Sequence, residues 1–578
     1  MSDVLAPDST IARNARVVGE TSSAVGGTNS GKYDAISVPD LHNLLTSENE
    51  VALLDVREEG VHSTEGHIFL SASAPLSRLE VRIGILVPRR ATPVVVFDAG
   101  DGALAARAAI RLRELGYADV RRLEGGLAAW GRAGHEVFTD ISSVSKSFGE
   151  FVEREYGTPH ISVAELKAKL DAGEDLVVLD SRTLSEFEEK SIPGAFAAPG
   201  AELVQRAFQF ADQPEKLIVV NCAARTRSII GAQALINAGV PNRVVSLANG
   251  TMAWLLEGHQ LAHGERRELP TPGPRDLERA QQSVTTLTER FGVRRIDGET
   301  YRRFVAEAGE RSLYRLDVRR QEEYEAGHLP GSYSTPGGQL VQGLDRWVAT
   351  RNARLVLIDG PDAIRATITA SWLIQIGWGE VYVYADGLDG ALETGPEPVS
   401  VLGTVPDVAT IDVAALSALL ERDAATVIDL DTSRAYRFGH IPGAFFAIRA
   451  RFADSLKKLG GSGPVVIAGP DRALAALAAA EAAAIIGRPV KVLTGGTAAW
   501  KAAGLPLEAG AARALDAINE DIRLNAYQAD TEDRHALFRE HLAWEVQLAD
   551  QVERDDTTPF RRFPLAGARL AATDGGAR

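Results

Sequence analysis

Four short, continuous apolar runs that each end in an aspartate recur along the chain. A run of this kind is typical of a strand that is buried on both faces of a parallel sheet. The aspartates lie about 110 to 140 residues apart, which is the size of a domain rather than of a solenoid repeat. The runs are VALLD, LVVLD, LYRLD and TVID, which end at Asp55, Asp180, Asp317 and Asp429. We therefore predict four copies of one domain.

Each copy continues with a glycine turn, a second apolar strand and an alanine-rich amphipathic helix. A Gly-Trp element closes three copies, and the third copy lacks the tryptophan; the closing residues are Trp130, Trp254 and Trp500. Strands that alternate with helices predict an α/β fold, with a small parallel sheet flanked by helices in each copy. The predicted domains cover residues 32–145, 155–265, 280–400 and 405–510.

The remaining segment, residues 511–578, has a different pattern. Apolar residues recur at helical spacing, namely Phe538, Leu542, Val546 and Ala549. This spacing predicts an amphipathic helical tail that packs back on one of the domains.

Charge and composition narrow the function classes. The chain has 578 residues, 45% of them hydrophobic, and a formal net charge of -16, which disfavours binding to nucleic acid or to an anionic membrane. No apolar stretch approaches the ~20 residues of a membrane span, and the first residues do not resemble a signal peptide. We expect a cytoplasmic protein with neither a nucleic-acid partner nor a membrane partner.

A single cysteine, Cys222, is the candidate reactive group, and it rules out an internal disulfide or a multi-cysteine metal site. It follows the strand LIVVN and precedes a predicted helix, where strand ends and a helix N-terminus bind anions. Arg225 and Arg227 lie close by, and Ser228 is predicted to cap the helix. A lone cysteine is often a small buried apolar residue. This basic setting instead favours a thiolate with a lowered pKa.

Four features together resemble the rhodanese family: the D-x-R strand end, the I-P-G-A turn, the Cys-x4-Arg-Ser loop and the Gly-x3-Trp element. The resemblance covers residues from about 33 to 507. It implies a sulfurtransferase that takes sulfur from a donor such as thiosulfate onto Cys222 as a persulfide and passes it to a thiol or cyanide-type acceptor, or to an acceptor protein. It implies no cofactor. The implied substrate-binding loop is Ala223, Ala224, Arg225, Thr226, Arg227 and Ser228.

Two alternatives stay open. A cysteine phosphatase of the same fold has one more residue between cysteine and arginine, so the four residues between Cys222 and Arg227 favour sulfur over phosphate. A scaffold protein is the second alternative, because the other three copies lack the nucleophile and are predicted to be inactive. They place Asp98, Asp359 and Ala468 at the cysteine position, and Ala103, Ile364 and Ala473 at the Arg227 position.

Residues that the copies share are predicted to serve the fold. Asp180 and Arg182 recur as the strand-end pair, so we expect a structural brace. His67, His328 and His440 occupy a turn in which the second copy has Ser191, so a catalytic role is not expected. No pair of histidine or acidic residues has metal-ligand spacing, and we predict no metal.

Overall fold

The computed structural model describes residues 34–564, apart from 398–399, 462, 525 and 530. It contains four parallel sheets, one for each repeat, in which the strands follow the order 1-5-4-2-3. Helices cover both faces of each sheet, so the predicted α/β class is confirmed. The predicted tail extends to residues 565–578, which lie outside the described residues.

The first repeat is followed by a linking helix, α6. The elements of the first repeat and of this helix are β1 (Ala35–Ile36), α1 (Val38–Leu45), β2 (Val51–Asp55), α2 (Glu59–Glu65), β3 (Ala72–Ser73), α3 (Leu79–Leu86), β4 (Val94–Phe97), α4 (Ala103–Glu114), β5 (Val120–Leu123), α5 (Gly126–Arg132) and α6 (Ser143–Tyr156).

The second repeat is followed by a longer linking helix, α12. The elements of the second repeat and of this helix are β6 (His160–Ile161), α7 (Val163–Asp171), β7 (Leu176–Asp180), α8 (Leu184–Glu189), β8 (Phe196–Ala197), α9 (Leu203–Ala207), β9 (Leu217–Asn221), α10 (Thr226–Asn237), β10 (Val244–Leu247), α11 (Gly250–Leu256) and α12 (Pro274–Phe291).

The third and fourth repeats complete the chain before the tail helix. The third contains β11 (Arg294–Ile296), α13 (Gly298–Ala306), β12 (Leu313–Asp317), α14 (Gln321–Ala326), β13 (Tyr333–Ser334), α15 (Gly337–Gln342), β14 (Thr350–Arg351), β15 (Arg354–Ile358), α16 (Ile364–Ile376) and β16 (Glu380–Tyr384). The fourth repeat and tail contain β17 (Thr410–Ile411), α17 (Val413–Leu420), β18 (Thr426–Asp429), α18 (Ser433–Phe438), β19 (Phe445–Phe446), α19 (Phe452–Ser455), β20 (Val465–Ala468), α20 (Arg472–Ile486), β21 (Val490–Leu493), α21 (Gly496–Ala502) and α22 (Thr531–Arg554).

The Gly-Trp elements close their repeats through the same contact. Each indole is buried and donates a hydrogen bond to a backbone carbonyl six residues further on. In the second repeat, Trp254 Nε1 lies 2.9 Å from the carbonyl oxygen of Gln260. A buried indole N–H needs such a partner, so this contact fixes the chain after the last helix of the repeat.

The repeats are joined by strands and by ion pairs. Strand β14 of the third repeat adds antiparallel to β2 of the first, with Thr350 opposite Ala52. The guanidinium of Arg449 in the fourth repeat contacts the carboxylate of Glu80 in the first at 2.7 and 3.0 Å. The four repeats therefore pack as parts of one assembly within the described chain.

The tail helix α22 forms as predicted, but its buried face is rotated from the predicted one. Phe538, Leu542 and Ala549 are buried, whereas Val546 is 50% exposed. At 100° per residue, position 546 lies about 80° from Phe538, whereas Glu545 lies within about 20° of it. Glu545 is accordingly buried, and the prediction for Val546 was wrong.

Candidate active site at Cys222

Cys222 follows the middle strand of the second sheet. Strand β9 lies between β7 and β10, and Asn221, its last residue, is paired with Asp180 of β7. Helix α10 begins four residues after Cys222, at Thr226. The predicted position at the carboxyl end of a strand and before a helix N-terminus is confirmed.

The loop encloses the sulfur tightly. Cys222 is 2% exposed, and its Sγ lies 3.5 Å from the hydroxyl oxygen of Ser228, which donates to the carbonyl of Arg225 at 2.8 Å. Ser228 is the third residue of α10 and does not cap it, so the prediction that Ser228 caps this helix was wrong. Arg225 holds the N-cap position, and its side chain makes no capping bond. The hydroxyl of Ser228 contacts the sulfur and the carbonyl of Arg225, and it does not accept from an amide at the helix N-terminus.

Helix α11 seats directly on this loop. The amides of Thr251 and Met252 donate to the carbonyls of Cys222 and Ala223, both at 3.0 Å. Gly250 has a φ of +52°, and a side chain there would place Cβ 2.3 Å from the Cys222 carbonyl oxygen. Only glycine permits this approach, so the Gly-Trp element also shapes the cysteine loop.

Arg227 pairs with Glu186 of α8, and its charge favours the thiolate of Cys222. Its two terminal nitrogens lie 2.7 and 2.8 Å from the two carboxylate oxygens. Glu186 also closes a capping box with Thr183 at the start of α8. Burial favours the neutral carboxyl, but Arg227 holds the pKa of Glu186 at about 2. Glu186 was not predicted from the sequence, and the T-x-x-E spacing of Thr183 and Glu186 is the signal that could have indicated this capping box.

Arg225 connects the loop to the linking helix α6. Its guanidinium contacts Glu150 at 2.6 and 2.8 Å and also pairs with Glu153. Burial raises the pKa of Glu150 to about 7 against the opposing effect of Arg225. A substrate-binding role for Arg225 stays a prediction, and its observed contacts are those of a tether.

The thiol of Cys222 does not have the lowered pKa that the basic setting suggested. Burial raises its pKa above the ordinary value, while Arg227 and the side chain and amide of Ser228 act in the opposite direction. The buried carboxylate of Glu545 raises it further. Arg227 is itself paired with Glu186, and its effect does not offset the desolvation of the buried thiol.

The sequences of the four repeats match the model of a known protein family. The model of the rhodanese-like domain matches residues 37–133, 162–257, 304–394 and 412–503, which together are more than half of the chain. The chain belongs to the rhodanese family.

Two relatives lie close to this chain. The crystal structure of a thiosulfate sulfurtransferase from Pseudomonas aeruginosa is 42% identical, with a TM-score of 0.86, and the match covers 92% of this chain and all of that one. A curated protein of Pseudomonas aeruginosa named "Probable 3-mercaptopyruvate sulfurtransferase" is 38% identical over 118 residues, 20% of this chain. That match spans 40% of the curated relative's length.

The first and third repeats carry a carboxylate where the second has a thiol. Asp98 accepts hydrogen bonds from the amides of Gly100, Gly102 and Ala105 at 3.0 to 3.1 Å. Asp359 accepts from the amides of Gly360 and Ala366 at 2.8 and 3.0 Å. These loops therefore gather amides around an anion that belongs to the chain itself.

Strand register corrects one of the sequence assignments. In the fourth repeat Asp429 pairs with Ala468, as Asp180 pairs with Asn221, so Gly469 and not Ala468 stands at the cysteine position. A glycine carries no nucleophile, so the predicted lack of a reactive group there is unchanged.

In the third repeat, Arg365 is the second residue of α16, as Arg227 is of α10. It pairs with Glu323 at 2.6 Å, as Arg227 pairs with Glu186, and it also contacts Asp359. The loop-end cation is therefore present in this repeat, contrary to the alignment on Ile364. The helix start, rather than the residue count from the strand, determines its place.

Asp180 and Arg182 form a buried ion pair beside the loop. Arg182 contacts Asp180 through Nε at 2.8 Å and Nη2 at 2.7 Å, and donates to the carbonyl of Lys190 at 2.7 Å. Their side chains are 0% and 1% exposed. The first and third repeats make the same pair, whereas in the fourth Asp429 accepts from Thr497 instead.

The turn histidines have contacts of a structural kind. His328 and His440 stack on Tyr324 and Tyr436, with ring centroids 3.7 and 3.8 Å apart.

A separate cluster contains two further histidines and an aspartate. His42, His135 and Asp556 bring one ligand atom each within 4.8 Å of the others. Sequence spacing did not indicate this set, because it joins three distant segments. Asp556 lies 3.0 Å from His42, as in an ordinary ion pair, and the absence of a metal stays a prediction.

No helix in the described chain is both long and apolar enough to cross a membrane.

Proposed function

We propose that the chain is a sulfurtransferase in which Cys222 carries sulfur between an anionic donor such as thiosulfate and a nucleophilic acceptor. The observation that carries this proposal is the chemistry of the loops. At the corresponding place, Asp98 and Asp359 hold a carboxylate against loop amides. The second repeat has a thiol there instead, so its amides are left to meet the anion of a donor or of a persulfide.

The transfer proceeds in two displacements. The Cys222 thiolate attacks the outer sulfur of thiosulfate, an S–S bond forms to Sγ, and the donor S–S bond breaks as sulfite leaves with the electron pair. The acceptor, a thiolate or cyanide, then attacks the terminal sulfur and releases the Cys222 thiolate. Arg227 and the loop amides stabilise the negative charge that sits on the loop in both steps.

The thiol must lose its proton before the first attack. Burial raises the pKa of Cys222, so the fraction of thiolate at neutral pH is small in the resting protein. We place the reaction in the cytoplasm, because it needs a free thiol and reducing compartments keep thiols free. An acceptor protein is an alternative to a small acceptor, and the three repeats without a thiol supply surface for it.

The phosphatase alternative is less favoured by the residues around Cys222. The loop holds four residues between Cys222 and Arg227. A cysteine phosphatase of the same fold has one more residue there, which makes room for the larger phosphate. A scaffold role for the other repeats is compatible with catalysis by the second.

The test is turnover of thiosulfate and cyanide to thiocyanate by the full chain. Cys222→Ser should reduce the rate to background, because an alkoxide is not formed near neutral pH and oxygen does not accept sulfur in this way. Asp98→Asn, the matched change in the first repeat, should leave the rate unchanged. Residual thiosulfate turnover in Cys222→Ser, or phosphate release from a phenyl phosphate ester by the wild-type protein, would contradict the proposal.

A further inference from the structure

A short segment of the tail reaches the sulfur loop before helix α22 begins. The turn Ala526–Gln528 places the hydroxyl of Tyr527 2.8 Å from Thr251 Oγ1 and 3.3 Å from the carbonyl oxygen of Ala223. Thr251 Oγ1 lies 3.3 Å from the same carbonyl oxygen. A tail residue about 300 positions away in sequence therefore contacts the residue next to Cys222.

This contact fixes the direction of one peptide group in the loop. The Ala223 carbonyl accepts from the amide of Met252 at 3.0 Å, and the oxygens of both hydroxyls lie 3.3 Å from it. The two hydroxyls also hydrogen-bond to each other at 2.8 Å, so one of them donates to the carbonyl and the other donates to its neighbouring hydroxyl. In a trans peptide the C=O and N–H point in opposite directions, so a held Ala223 carbonyl turns the Ala224 amide to the other side. That amide belongs to the loop between Cys222 and α10, whose amides the proposed function assigns to an anion bound at Cys222.

The surroundings of Tyr527 are built to keep the hydroxyl in place. Its ring packs edge-on against Phe538 with centroids 4.7 Å apart, and the ammonium of Lys190 lies 3.8 Å above its ring. Phe538 in turn packs in one apolar cluster with Ala224 and Met252. Burial also raises the pKa of Tyr527, so its hydroxyl stays a donor at neutral pH.

We propose that Tyr527 is a positioning residue of the sulfur loop: its hydroxyl, shared with Thr251, orients the peptide after Ala223 so that the loop amides bind the anionic sulfur donor. The inference rests on the proposed function for its choice of donor. It assigns the tail a part in the active site of the second repeat.

The test compares Tyr527→Phe with the wild-type full chain. The KM for thiosulfate should rise about two- to tenfold, the range of one net hydrogen bond. The rate of alkylation of Cys222 by anionic iodoacetate, divided by the rate with neutral iodoacetamide, should fall by a similar factor. The iodoacetamide rate alone should change little, because a neutral reagent does not use the amides as an anion site.

Two further variants separate positioning from a general loss of packing. Tyr156→Phe removes a hydroxyl that lies 2.9 Å from Gln375 in a different contact and should leave the alkylation ratio unchanged. In a Thr251→Val background, Tyr527→Phe should have a smaller effect than it has alone, because the hydrogen bond between the two hydroxyls holds them both against the carbonyl.

An unchanged alkylation ratio in Tyr527→Phe, or strictly additive effects with Thr251→Val, would overturn the proposal. A wild-type protein that transfers no sulfur from thiosulfate would contradict the proposed function. The alkylation ratio would still decide the role of Tyr527 in that case, because it needs only the thiol and the loop.

Discussion

Replacing Arg182 with methionine tests the assignment of the Asp180–Arg182 pair to the fold. Methionine keeps much of the apolar stem and removes the guanidinium, which leaves the fully buried Asp180 without the contacts at 2.8 and 2.7 Å. Asp180 keeps the amide of residue 182 at 3.1 Å and the side-chain amide of Asn221 at 2.7 Å.

The expected loss follows from these remaining contacts. Breaking a buried ion pair by removing one partner costs about 3 to 5 kcal/mol, and the two donors that remain place Arg182→Met near the lower end. Removing both charges in Asp180→Asn/Arg182→Met should cost about 2 kcal/mol less, because no unpaired charge stays buried. The fourth repeat already lacks the arginine, and there burial raises the pKa of Asp429.

Hydrogen exchange of the β7 and β9 amides in the full chain measures this loss locally, because a protein with four repeats does not unfold in two states. A single-variant loss below about 1 kcal/mol would refute the reasoning. So would a double variant as unstable as the sum of the two single variants.

Two further predictions concern the charges around the thiol. Glu545→Gln should lower the pKa of Cys222, measured as the midpoint of alkylation rate against pH, whereas Glu540→Gln on the exposed face of the same helix should not; equal midpoints in the two variants would contradict this. Arg227→Met should raise the midpoint and increase the KM for thiosulfate at least about tenfold, as expected for a lost charge-assisted hydrogen bond. Arg227→Lys should have a smaller effect on both quantities. An unchanged KM in Arg227→Met would show that Arg227 does not bind the donor.

The sheets could be predicted from sequence because burial on both faces leaves a local signal. The runs LVVLD and LIVVN are continuous and apolar, and both form strands of the second sheet. The place of Cys222 followed from the end of the second run. Each of these inferences uses a pattern of fewer than about ten residues, which the chain carries whatever packs against it.

The sequence predictions were wrong where the structure depends on loop length or on contacts with residues far away in sequence. The loop between β20 and α20 of the fourth repeat is shorter than the Cys222 loop. The sequence pattern therefore matched Ala468 to Cys222, whereas strand register gives Gly469. The pKa of Cys222 depends on burial and on Glu545, more than 300 residues away in sequence. Tyr527 is likewise joined to the loop only by tertiary packing, and its segment has no pattern that indicates it.

The central claim is that sulfur passes through Cys222, and intact mass measurement of the full chain after incubation with thiosulfate tests it most directly. The account predicts a gain of one sulfur atom, located on the peptide that contains Cys222, lost again on addition of cyanide, and absent from Cys222→Ser. Sulfur transfer to cyanide that proceeds without any such gain, or a gain that persists in Cys222→Ser, would contradict it.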